Sequence, residues 1–174
     1  MHLMLDLETV GKRAGCAILS IGAVSYDPES EKIGEKIHIG VDVVSCVKHG
    51  LALDPGTLMW WLEKSNREFP KPAYPLPKAL MILTDFFRHH GCDSIWSNGA
   101  TFDIPIIKAA YENCDLAAPW QYWNEYDTRT IFWLAKYKGS PTRGVNTHSA
   151  LEDSLNQVRL IQEAIKKIRG GDGV

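Results

Sequence analysis

His2-Leu-Met-Leu-Asp-Leu-Glu-Thr9, Cys16-Ala-Ile-Leu-Ser-Ile-Gly-Ala-Val-Ser-Tyr-Asp27 and Glu31-Lys-Ile-Gly-Glu-Lys-Ile-His-Ile-Gly-Val41 decide the fold. Residues His2 to Glu8 read as a short strand, and Cys16 to Asp27 as a longer one built on Ile18, Leu19, Ile21, Val24 and Tyr26. Asp27-Pro-Glu-Ser supplies turn chemistry, and the alternation Ile33, Glu35, Ile37, Ile39, Val41 marks a half-buried third strand. Connections this short imply antiparallel neighbours. Asp6 and Glu8 are two apart on the first strand, so their side chains share a face.

Helix signals follow. Asp54 can cap with Pro55 at the first helical position, and Leu58, Trp61 and Leu62 fall on one face. A second helix is expected from Leu76 to His90, with Leu80, Leu83, Phe86 and Phe87 inward and Gly91 as its terminator. The strand Ser94 to Ser97 leads into Asn98-Gly99, and a helix follows Phe102, with Pro105 tolerable in its first turn. Gln121 to Tyr126 reads as a short strand and Thr128 to Lys138 as a helix. The last helix, Ser149 to Ile168, carries Leu151, Leu155, Val158, Ile161 and Ile165 at helical spacing. The whole predicts an α/β domain with a mixed sheet, three antiparallel strands first and parallel strands afterwards, flanked by helices.

At 174 residues with 45% apolar content, one domain over residues 1–170 is expected, with 171–174 as a frayed tail. The four cysteines show no C-x-x-C spacing and read as free thiols, not as a zinc ribbon or redox pair. Asp6 and Glu8 interrupt the apolar start, so neither a signal peptide nor a membrane span is expected, and the compartment expected is cytoplasmic. A formal net charge of −2 gives no general attraction to nucleic acid. It excludes a high-affinity coating protein, but not an enzyme acting on chain ends through local patches and bound metal.

Four acids and a histidine stand at the edges of these segments: Asp6, Glu8, Asp103, Asp153 and His148. Converged, the carboxylates form an oxygen cage for two hard divalent cations, beside a histidine that titrates near neutrality. Singly, each has an ordinary account: acids on an exposed strand face, a helix-capping Asp103, a capping or core His148.

Taken jointly, the order, spacing and flanking residues resemble the DEDDh subgroup of 3'-5' exonucleases, which have a ribonuclease H-like fold. The motifs are Leu5-Asp6-Leu7-Glu8-Thr9, Asn98-Gly-Ala-Thr-Phe102-Asp103 and His148-Ser-Ala150-Leu151-Glu-Asp153-Ser154. Thr57-Leu-Met-Trp60-Trp61 and Asp127-Thr128-Arg129-Thr130 are similar to the T-even phage exodeoxyribonuclease and its small bacterial and prophage exoribonuclease relatives. The resemblance implies Asp6, Glu8, Asp103 and Asp153 as metal ligands, two Mg2+ or Mn2+ ions as cofactors and His148 as general base. Two cations about 3.5 to 4 Å apart activate the attacking water and meet the charge on the leaving 3'-oxygen. Thr9, Asn98 and Phe102 are implied to touch the terminal nucleotide. The implied partners are 3' ends of single-stranded DNA or RNA, with no membrane, and a homodimer is expected by the same analogy.

Other residues stay open between two accounts. Adjacent helical positions point about 100° apart, so one of Trp60 and Trp61 is expected in the core and the other exposed. An exposed Trp61 would stack a base, with simple packing as the alternative. Arg129 meets a phosphate or pairs with Asp127. Lys136, Lys138 and Arg143, among Gly139, Pro141 and Gly144, read as a mobile loop or an ordinary solvated one. Lys166, Lys167 and Arg169 are accounted for by the closing helix's dipole. The function expected is metal-dependent 3'-5' exonucleolysis releasing nucleoside 5'-monophosphates, with DNA favoured over RNA. A non-catalytic nucleic-acid-binding subunit and a phosphoesterase of small nucleotides are the alternatives.

Overall fold

The structure, a computed structural model, describes residues 1–63, 69–137 and 148–170. Its sheet is built from β1 (His2–Thr9), β2 (Ile18–Tyr26), β3 (Ile33–Val41), β4 (Ala73–Tyr74), β5 (Ser94–Ser97) and β6 (Glu125–Asp127). The strand order is β4-β3-β2-β1-β5-β6. The first three strands pair antiparallel, whereas β1–β5, β5–β6 and β3–β4 pair parallel. The helices are α1 (Val43–Lys48), α2 (Pro55–Glu63), α3 (Leu76–His89), α4 (Asp103–Asn113), α5 (Thr128–Leu134) and α6 (Ala150–Arg169). The expected mixed sheet with antiparallel opening strands is therefore present.

Alternation along β1 sorts its residues between two cores. Leu3, Leu5 and Leu7 join the larger one with Ile21, Ala23, Leu80, Leu83, Ile106 and Ile107. Met4 faces the other side, where it is buried with Val24, Trp96, Leu155, Val158 and Ile161. Asp6 and Glu8 continue the Met4 face, so one strand face turns from apolar to acidic beneath α6.

The start of α6 lies against β2 at Gly22, which is the Cα partner of Asp6 in the sheet. A Cβ at Gly22 would collide with the backbone of Ala150 and Leu151. Ser154 fastens the approach, its hydroxyl lying within hydrogen-bond reach of Gly22 O at 3.1 Å and Ala150 O at 2.8 Å. At its far end α6 holds the β2–β3 turn through Lys166–Glu31 and Arg169–Glu29 ion pairs, each at 2.8 Å. The basic tail of the helix thus has partners beyond the helix dipole.

Several expectations need correction. Helix α2 starts at Pro55 as expected, but it buries none of its residues, and Leu58 and Leu62 are exposed. Neither Trp60 nor Trp61 is core; both are half-buried. The expected strand over Gln121 to Tyr126 splits into a 3₁₀ turn at Tyr122–Asn124 and β6. Helix α5 stops at Leu134, short of Lys138. Lys136 adopts φ 49°, with Lys136 N–H donating to Trp133 O and Tyr137 N–H to Phe132 O. This is the Schellman arrangement, here made without glycine and so without a sequence signal. Helix α1 and β4 were not foreseen. Cys16, Cys46, Cys92 and Cys114 are free. Among the described residues no helix is long and apolar enough to cross a membrane. The expected loop over 138–144 and the tail 171–174 lie outside the described residues.

Replacing Gly22 by Ala forces β2 and α6 apart. Overpacking of this kind costs about 1–3 kcal/mol. In a domain of this size each kcal/mol lowers the melting temperature by roughly 2–4 °C. Differential scanning calorimetry is expected to show that drop for Gly22→Ala; an unchanged transition would remove the close approach from the account of the fold.

Candidate active site

The acidic face of β1 meets the first turn of α6. Asp6, Glu8 and Asp153 each offer a carboxylate oxygen, and the three oxygens lie within 4.8 Å of one another. Glu8 is only 8% exposed. The fourth acid, Asp103, opens α4, is 4% exposed, and accepts a hydrogen bond from Leu7 N–H at 3.1 Å. Burial pushes the Asp103 carboxyl well above the usual carboxylate range, and the neighbouring charge of Asp6 pushes it further. Four carboxylates from three elements line the same cleft. All are hard oxygen donors, which suits divalent cations of the magnesium and manganese class. The donor set therefore fits the ions that the sequence implies.

A cleft of about 810 Å³ opens over these acids. All ten residues expected at the site line it: Asp6, Glu8, Asp103, His148, Asp153, Thr9, Trp61, Asn98, Phe102 and Arg129. His148 lies edge-on to Trp60 at a centroid distance of 4.9 Å and near Trp61 at 6.3 Å. Trp61 donates its indole N–H to Thr9 O at 2.9 Å, tying α2 to the end of β1. Thr9 itself is buried, its hydroxyl donating to Gly11 O at 2.7 Å.

The Asn98 and Arg129 part of the lining is organised by Asp127. Its carboxylate accepts from the backbone N–H groups of Gly99, Ala100 and Arg129 at 3.3, 3.1 and 2.9 Å. Asp127 is thus a backbone cradle, and the expected alternative of an Asp127–Arg129 ion pair is not formed. Gly99 has φ 106°, and the Arg129 guanidinium lies against it, where a side chain would intrude. Asn98 Oδ1 accepts from Thr128 Oγ1 at 3.0 Å, so Asn98 and Arg129 are mounted together.

Sequence reading missed Lys12, Asp54, Thr57, Trp60, Asn156 and Gln157, which also line the cleft. A signal existed for the last two: Asn156 and Gln157 stand three and four residues after Asp153 on one helix, hence on its face. Gln157 Nε2 donates to Asp6 Oδ1 at 2.8 Å.

Comparison with known proteins now bears on this arrangement. Residues 1–165 match the family model described as the 3'-5' exoribonuclease Rv2179c-like domain. The chain belongs to that family. It is a member of a 3'-5' exonuclease family, which makes it a hydrolase. No match is found among curated proteins.

Solved structures agree in fold. The cell-death related nuclease CRN-4 superposes with a TM-score of 0.64 at 16% identity, covering 94% of this chain and 63% of that one. This chain thus spans less than two thirds of CRN-4. The nuclease domain of 3'hExo, a DEDDh family member bound to rAMP, gives 0.61 at 14% identity, covering 97% and 92%. Exonuclease X in complex with 5' overhanging duplex DNA gives 0.54 at 16% identity, covering 99% and 95%. The ribonuclease H-like fold of the DEDDh exonucleases is therefore present.

The raised Asp103 carboxyl has a pH signature in the ion-free protein. The folded state holds this proton at a pH where the unfolded chain has released it. Its stabilising share is therefore complete below about pH 4, the ordinary Asp value, and is lost as pH rises towards the folded value. Asp103→Asn keeps an acceptor for Leu7 N–H and removes that loss. In EDTA, the melting temperature of the variant is expected to exceed that of the wild type by an amount that grows from pH 4 to pH 7. A pH-independent difference would refute the assignment.

Proposed function

We propose that the protein removes nucleoside 5'-monophosphates from the 3' ends of single-stranded nucleic acid in a metal-dependent reaction, with RNA as the first substrate. The observation that supports this reading most is the convergence of Asp6, Glu8 and Asp153 within 4.8 Å at the floor of a cleft that His148 also lines. Asp6, Glu8, Asp103 and Asp153 would hold two divalent cations, Mg2+ or Mn2+. When bound, such ions supply Lewis-acid activation of water and neutralise charge on the phosphate and the leaving oxygen.

The chain's own residues do the rest. His148 takes the proton of the attacking water at a ring nitrogen, as a general base. The water oxygen bonds to phosphorus, the bond from phosphorus to the 3'-oxygen breaks, and that oxygen leaves with the shortened strand. Trp60 holds the imidazole edge-on, and the Trp61–Thr9 hydrogen bond fixes the tryptophan pair to the metal-binding strand. Arg129 meets a substrate phosphate. Phe102 and Asn98 meet the terminal nucleotide, and the remaining face of Trp61 is offered to a base.

RNA comes first because the matching family is described as exoribonuclease. DNA is the second reading, favoured by Trp60-Trp61 and Asp127-x-Arg129 and by the DNA held by the structural neighbour Exonuclease X. A 5'-labelled RNA strand and its DNA counterpart, each tested with free and blocked 3' ends, separate sugar and polarity. Stepwise shortening of the free-ended RNA, lost in EDTA and restored by Mg2+ or Mn2+, is the expected result. Products unaffected by chelation, or equal decay of 3'-blocked strands, would overturn the proposal.

The roles of single residues are tested separately. His148→Ala is expected to lower kcat by about 10²–10⁴-fold, the range for loss of a general base. Asp153→Asn is expected to abolish turnover, with circular dichroism unchanged for both variants. Wild-type rates in either would remove that residue from the mechanism. Divalent ions should also raise the melting temperature of the wild type, because they bind only the folded cage.

A further inference from the structure

We propose that Gln157 is a positioning residue of the carboxylate cage, acting on the cations through Asp6 and through the water that they bring. The inference rests on the cage reading above. Gln157 stands four residues after Asp153 on α6, so the same helix face supplies one carboxylate of the cage and the amide that holds another. Its Nε2 donates to Asp6 Oδ1 at 2.8 Å, and the residue is only 5% exposed while lining the cleft.

The orientation of this amide follows from chemistry. An ionised carboxylate only accepts hydrogen bonds, so the NH2 group must face Asp6 and the carbonyl oxygen must face away from it. That oxygen, Oε1, is buried and, among the described residues, has no hydrogen-bond partner. Buried polar atoms of this kind are few in folded proteins and call for an explanation. An apolar residue of similar size would fill the volume without stranding an acceptor. A glutamine is explained if its two ends serve two partners, Asp6 and a donor present only in the loaded site. Mg2+ keeps several of its waters when bound by carboxylates, and such a water is a donor of the required kind.

Gln157 would thus hold Asp6 in place with its amide N–H and offer its Oε1 to a donor of the loaded site. Groups that orient metal ligands in this way are worth about 10–100-fold in metal affinity or activity. The test is isothermal titration of Mn2+ into wild type and into Gln157→Met, which conserves length and removes both polar ends. The expected result is a Kd raised at least tenfold, with kcat lowered and KM for an RNA oligonucleotide unchanged. Gln157→Asn, which keeps the amide but withdraws it by one methylene, is expected to weaken Mn2+ in the same direction should the first variant fold poorly. Binding by either folded variant within twofold of wild type would overturn the proposal while leaving the cage intact. A wild type that binds no Mn2+ would remove the cage reading and this inference together.

Discussion

The structure depends on how closely the first turn of α6 approaches β2. Gly22 is the Cα partner of Asp6, and only the missing side chain at Gly22 lets the backbone of Ala150 and Leu151 settle over the sheet. That contact sets the height of the helix above β1, and the height decides whether Asp153 reaches Asp6 and Glu8. Below it, Met4, Val24, Val158 and Ile161 form a dry seam that fixes the rotation of the helix. Fold and site are thus one packing problem. The apolar lower part of the β1–α6 seam anchors the acidic upper part.

Without cations, that upper part holds like charges at short range. Asp103, the most buried of the acids, has its carboxyl pushed up first by that burial and further by the charge of Asp6. The protein tolerates this concentration because the surrounding core and sheet over-determine the positions of the acids. Local electrostatic conflict in an otherwise consistent fold is the usual mark of a functional site.

Much of this was legible in the sequence because it is written in periods and motifs. Alternation on β1 puts Asp6 and Glu8 on one face, helical spacing from Leu151 to Ile165 predicts α6, and the three motifs name the residues lining the cleft. What escaped was set by tertiary contact. The tryptophan pair is adjacent in sequence, and helical geometry sends one ring inward; in the fold α2 has no core beneath it, so both rings turn to the cleft and His148. The end of α5 is a left-handed Lys136, a conformation that sequence assigns to glycine. Asp127 and Arg129 read equally as an ion pair or as phosphate contacts, yet the Asp127 carboxylate accepts from three backbone N–H groups that no linear pattern brings together. Gln157 lies within the helical period of Asp153, but its meaning comes only from the contact with Asp6 that the fold creates.

The two walls of the cleft are mounted differently. One wall, with Asn98 and Arg129, rests on a single carboxylate that binds the β5–α4 turn to the start of α5. The other, with Trp60 and Trp61, stands on a helix that buries none of its residues and is tied to β1 through an indole N–H. The first is held through backbone hydrogen bonds, the second through a side-chain donor at the end of β1. Because the His148 ring lies edge-on to Trp60, any change in how α2 is seated would alter the surroundings of the imidazole.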